Sequence, residues 1–153
     1  MSYARGERPP VNCIFCAICQ KNTAVKSLEI HRTDNFSITL NLHPYNPGHL
    51  MIFPHRHVTD IRELRKEETM ELHRLEKLAL DILDASYHPA GYNIGFNLGK
   101  NSGASIEHLH LHIIPRYPNE VGFLDILSGT RIIVENPQET VEKLTKAFAS
   151  AVK

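Results

Sequence analysis

Three histidines stand at alternate positions in Glu-His-Leu-His-Leu-His-Ile-Ile-Pro-Arg, residues 107–116: His108, His110 and His112. A strand sends successive side chains to opposite faces, so the three imidazoles share one face and Leu109, Leu111 and Ile113 the other. A strand that only had to solvate one face would use Thr, Lys or Glu. Imidazole repeated at this period indicates acid–base, nucleophilic or ligand chemistry. Two chemistries fit. In one, the histidines bind a metal whose bound water attacks the substrate. In the other, a neutral imidazole attacks phosphorus with its free nitrogen while its neighbours hold the phosphate oxygens. A second cluster is Cys13-Ile-Phe-Cys16, with Cys19 just beyond. Its two-residue spacing brings two thiolates within reach of one tetrahedral ion, and distant histidines could supply the two further ligands that zinc needs. No strand-like stretch precedes Cys13, as a thioredoxin-like redox motif would require.

The elements that must position these groups follow from hydropathy. Leu28–Arg32 and Phe36–Leu42 read as a hairpin across Thr33-Asp34-Asn35, with Asn41 on its polar face. His49–Pro54 is a third strand, in which His49, Met51 and Phe53 share a face. Asp60 and Glu63 form a D-x-x-E helix start. Leu64, Leu72, Leu75, Leu78, Ala79, Ile82 and Leu83 then mark an amphipathic stretch interrupted near Arg65–Glu67. His88-Pro-Ala-Gly91 ends it. Tyr92–Leu98 alternates as a strand, placing Asn93, Gly95 and Asn97 opposite Tyr92, Ile94, Phe96 and Leu98. The small-residue loop Gly99–Ser105 leads into the histidines and can bring backbone N–H groups close to an anion. Arg131–Val134 reads as a short strand. Asn136-Pro137 opens a final helix with Val141, Leu144, Phe148 and Ala151 on one face.

Strand parity thus collects Asn41, His49, Asn97, His108, His110 and His112 on polar faces. Helices would cover the opposite, apolar face, giving a two-layer α+β domain. The polar face would be open, rich in imidazole and amide groups, and without carboxylates. That argues against glycosidase or aspartic-protease chemistry and against a magnesium site, and suits a phosphate.

At 153 residues the chain is expected to be one domain, residues 1–153, with residues 1–11 as a flexible N-terminal arm. Lys plus Arg and Asp plus Glu both number 17, so no net basic field points to nucleic acid or an acidic membrane surface. No stretch reads as a signal peptide or membrane span. The closely packed, odd-numbered cysteines suit a reducing compartment, so the cytoplasm is expected.

His-Leu-His-Leu-His-Ile-Ile resembles the signature of the histidine triad (HIT) superfamily, His-φ-His-φ-His-φ-φ with φ apolar. The resemblance extends to Cys-Ile-Phe-Cys, to Asn41 eight residues before His49, to Pro-Gly-His-Leu-Met-Ile-Phe-Pro and to Gly-Phe-Asn-Leu-Gly. Tyr-Asn-Pro-Gly-His-Leu, Gly-Phe-Asn-Leu-Gly and Gly-Thr-Arg-Ile-Ile are most similar to the branch of diadenosine tetraphosphate phosphorylases and related hydrolases. The resemblance implies an antiparallel sheet with helices on one side, and a homodimer. It implies that His110 attacks the α-phosphorus of a nucleotide substrate, such as a dinucleoside polyphosphate, to form a nucleotidyl-histidine that water or inorganic phosphate releases. His49, Asn97, Ser105 and His112 match phosphate-side positions, and Asn41 matches the ribose-binding position. Cys13, Cys16, His57 and His108 match the ligands of a structural zinc in zinc-bearing relatives, leaving Cys19 outside. Ala104 stands where several branches carry Gln, an amide that could handle the leaving group or the incoming water. A non-catalytic nucleotide- or zinc-binding module is the reading of another class. A nucleophilic imidazole must be neutral, so activity is expected to fall below about pH 6.

Overall fold

The structure, a computed structural model, describes residues 9–118, 120 and 136–152. Its centre is an antiparallel sheet of five strands, β1 (Glu29–Arg32), β2 (Phe36–Leu40), β3 (Leu50–Pro54), β4 (Gly91–Phe96) and β5 (Leu111–Arg116), in the order β1-β2-β3-β5-β4. The β1–β2 turn is closed by Thr33: its N–H donates to the Phe36 carbonyl at 2.9 Å, and its hydroxyl accepts from Phe36 N–H at 3.1 Å. β2 and β3 then pair from Phe36↔Pro54 to Leu40↔Leu50, and every residue of both is buried.

Among the described residues three α-helices accompany the sheet: α1 (Ile14–Cys19), α2 (Lys66–Tyr87) and α3 (Pro137–Ala151). The apolar stripe expected between Leu64 and Leu83 lies on α2, where Leu72, Leu75, Ala79, Ile82 and Leu83 are buried. Leu144 and Phe148 of α3 join them beneath Ile30, Ile38, Leu40, Ile52, Leu111 and Ile113. The Asn136 side chain accepts from Gln138 N–H at 3.0 Å to start α3, as read from the sequence, but Ala151 lies exposed at its end. α2 stops where His88 turns left-handed (φ 49°) and Pro89 follows, a residue that cannot continue a helix. Gly48 is also left-handed (φ 77°), and a Cβ there would meet Leu83 at 3.1 Å and Pro115 at 3.3 Å, so only glycine lets the chain enter β3 at this depth.

Several expectations change. The Asp60–Glu63 capping box is present but caps only a short 3₁₀ turn, Ile61–Glu63; α2 starts separately after Leu64, which is extended. The histidine strand begins at Leu111, so His108 and His110 lie on its lead-in. Pairing with both neighbours ends there, at Ile52↔Leu111 and Phe96↔Leu111. Leu109 N–H instead donates to the Val58 carbonyl at 2.7 Å, and the alternation survives because Leu109, Leu111 and Ile113 stay buried. The sheet face opposite α2 and α3 is only partly open. α1 covers it, packing Phe15 and Ile18 on Met51 and Phe53. β4 is an edge strand that leaves Ile94 40% exposed, and Leu98 beyond it is 39% exposed. The strand expected at Arg131–Val134 falls outside the described residues, as do residues 1–8 of the arm.

Candidate active site

The lead-in and β5 carry the three histidines into a row, and each ring's hydrogen-bond partner assigns its tautomer. His110 Nδ1 lies 2.7 Å from the His108 carbonyl oxygen, which can only accept, so Nδ1–H donates and Nε2 keeps its lone pair. Burial pushes the His110 imidazole below its ordinary range, against a smaller opposite effect of that hydrogen bond. The ring is therefore neutral near pH 7 with one basic nitrogen. Phe15 from α1 packs on it, ring centres 5.1 Å apart, and stacks on Phe53 at 4.2 Å. Phe15 went unnoticed in the sequence, where it is merely one of the two residues between the cysteines.

Next in the row, His110 and His112 meet edge to face at 4.7 Å. Tyr45 N–H donates to His49 Nδ1 at 3.2 Å, so the proton of the neutral His49 ring is on Nε2, which donates to His112 Nδ1 at 2.9 Å. That leaves Nε2–H of His112 as a donor. Burial, and then the neighbouring His110, pushes His112 down to about 4. His49 was expected at the phosphate, but it is fully buried. It touches His112, with the Tyr45 ring stacked on it at 5.4 Å. Asn41 borders this end, its Nδ2 3.4 Å from His49 Nδ1.

On the other side, His108 donates from Nε2 to the Pro54 carbonyl at 2.8 Å, which turns the Nδ1 lone pair toward Cys13 Sγ (3.4 Å) and Cys16 Sγ (3.6 Å). His57 Nδ1 lies 3.3 Å from Cys16 Sγ. All four ligand atoms lie within 4.8 Å of one another. Zinc bonds of about 2.1 Å to nitrogen and about 2.3 Å to sulfur put tetrahedral edges at roughly 3.5–3.8 Å. The donor set and spacing fit zinc, and the Pro54 carbonyl provides the outer partner that orients a ligating histidine. Burial and the Cys13 thiol push the Cys16 thiol up to about 11, and a bound dication would reverse this by holding both sulfurs as thiolates. Cys19 is not in the cluster.

Asn97 and Ser105 are exposed and line a cleft of about 830 Å³ together with Ala104 and His108. Asp60 and Glu107 line it too, so a face without carboxylates is not what forms at this rim. Asp60 is already engaged by Arg62, at 2.9 Å through Nε and 2.6 Å through Nη2.

The HIT domain model matches residues 22–119. The chain belongs to the HIT family. It is 38% identical over 111 residues to the AP-4-A phosphorylase of Mycobacterium tuberculosis, an alignment covering 72% of this chain and 57% of that relative, so the chain spans little more than half of that protein's length. It is 34% identical over 93 residues to the bis(5'-adenosyl)-triphosphatase of Dictyostelium discoideum, covering 60% and 62%. Among solved structures, a Zn-bound histidine triad family protein from Mycobacterium smegmatis superposes with a TM-score of 0.75 at 26% identity, covering 91% of this chain and 94% of that one. The α+β architecture, an antiparallel sheet with helices, is that of the HIT fold.

Proposed function

We propose that this chain is a nucleotidyl-transferring enzyme that cleaves a dinucleoside polyphosphate, such as diadenosine tetraphosphate, at the α-phosphorus. The observation that carries this reading is the His110 ring, buried and neutral, with Nδ1–H donated to the His108 carbonyl and Nε2 left basic. Nε2 attacks the α-phosphorus to give a nucleotidyl-histidine, and the charge gained by the ring is held at Nδ1–H by that carbonyl. His112 donates Nε2–H to the phosphate, and His49 serves behind it by fixing its tautomer. Asn97 and Ser105 complete the phosphate subsite, and Asn41 serves the ribose. The likeness to an AP-4-A phosphorylase and to a bis(5'-adenosyl)-triphosphatase supports the substrate class.

Cys13, Cys16, His57 and His108 would hold zinc in a closed, structural site. Two copies would join along β4, whose edge carries exposed Ile94 and open space at Gly91 and Gly95. Among the described residues no helix is long and apolar enough to cross a membrane, and all three cysteines are free, which supports a reducing, cytoplasmic setting.

The test is a product assay on diadenosine tetraphosphate with and without inorganic phosphate. AMP plus ATP without phosphate identifies a hydrolase. ADP plus ATP formed only with phosphate identifies a phosphorylase, the second reading, which the likeness to AP-4-A phosphorylase favours. His110→Asn is expected to abolish turnover and the covalent nucleotide adduct while keeping the thermal transition. Full activity in that variant would exclude His110 as nucleophile, and nucleotide binding without adduct or turnover in the unaltered protein would mark a non-catalytic module.

A further inference from the structure

The cleft beside His108 is larger than one phosphate subsite needs, and its position gives it a separate use. Asn97 and Ser105, assigned above to the phosphate subsite, line it, whereas His110, His112, Asn41, Tyr45 and His49 do not. With those roles, it continues from the Asn97 and Ser105 side of the phosphate, away from the half of the substrate that Asn41 would hold. Its volume of about 830 Å³ is ample for a nucleotide-sized ligand. Val11, Ile14 and Ile106 give it an apolar part. Lys100 is the one Lys or Arg among its described lining residues. Lys100 is exposed and makes no ion pair among the described residues. It rides on a short 3₁₀ turn, Lys100–Ser102, set between left-handed Gly99 and Gly103 and tied by Ser102 Oγ–H donating to the Gly99 carbonyl at 2.7 Å.

We infer that this cleft receives the departing nucleoside polyphosphate and that Lys100 is the residue that selects for its charge. The inference rests on the nucleotidyl-transfer reading above. As the His110 Nε2–P bond forms, the bond from the α-phosphorus to the bridging oxygen breaks, and its electron pair leaves on that oxygen with the polyphosphate. The Lys100 ammonium faces the charge that accumulates there. This is a task that Ala104, with only a methyl group in the same cleft, cannot share. The apolar part of the cleft accepts the base of the departing half. Of the two carboxylates among its described lining residues, Asp60 is committed to Arg62, and Glu107 makes no ion pair with Lys100.

The test compares two substrates that share the adenylyl group: diadenosine tetraphosphate, and the p-nitrophenyl ester of AMP, whose leaving group carries no phosphate. In Lys100→Met the ratio of kcat/KM, tetraphosphate over ester, is expected to fall about tenfold or more, the size of one charge-assisted contact. Lys100→Arg should restore most of the ratio. Across dinucleoside di-, tri- and tetraphosphates, the rise of kcat/KM with phosphate number should flatten in Lys100→Met. An unchanged ratio in Lys100→Met overturns the assignment, as does equal loss on both substrates. If the unaltered protein turns over neither substrate, the underlying reading fails and this inference with it; turnover of both with an unchanged ratio removes this inference alone.

Discussion

At the level of single residues, the row Tyr45–His49–His112 works as a relay that decides where protons sit. One backbone N–H, from Tyr45, assigns both rings behind it. The same burial that fixes these tautomers also predicts the pH response. His112 is lowered to about 4 in the folded chain, whereas an unfolded histidine titrates near about 6.5. Between those values the unfolded chain binds more protons, so stability is lost as pH falls through this window, by at most about 1.4 kcal/mol per pH unit. Thermal melts are expected to decline steadily from pH 6.5 to pH 4. His110 is lowered in the same direction, so the acid limb of turnover should lie below the pH of about 6 expected for an unperturbed imidazole. A rate already halved at pH 6.5 would contradict a buried, neutral nucleophile.

At the level of elements, the cluster of Cys13, Cys16, His57 and His108 and the Phe15 ring bring α1 against the lead-in to β5. Chelation tests that attachment. It should lower the thermal midpoint by more than about 5 °C, because binding energy at such a site is folding energy. The His110 adduct should still form on mixing with substrate at 25 °C. Immediate and complete loss of turnover would indicate a metal hydrolase instead.

Element boundaries also show what could be read in advance. The alternation of His with Leu and Ile gave the faces of β5 correctly, since parity is local. Where β5 begins was not legible, because it depends on β3 and β4 running out of partners together at Leu111. Parity also gives a face but not a depth, so it could not show that His49 lies fully buried behind His112. A helix as short as Ile14–Cys19 carries too little periodicity to announce that it packs on the site face. The same holds for Lys100, whose place at the cleft is set by two left-handed glycines and by segments distant in sequence.

At the level of the whole molecule, β4 is an edge strand among the described residues, and an edge with an exposed apolar residue such as Ile94 invites pairing. In the dimer proposed above, Ile94→Lys would place a lysine from each copy at the shared edge. It is expected to convert a dimer to a monomer in sedimentation velocity, without unfolding the monomer. An unaltered protein that already sediments as a monomer would rule out this edge as an interface.

The bond between the Cys13 and His108 side chains spans 95 positions, and that separation has a consequence in time. At about 5–20 residues per second, a ribosome delivers the two thiols roughly 5–20 s before the imidazole that completes their cluster. Until then only His57 can join them. The carbonyl that accepts from His110 Nδ1–H belongs to the same late residue, His108. The nascent chain therefore carries the two thiols well before the imidazoles, and the Cys/His cluster and the His110 ring are completed within three residues of synthesis.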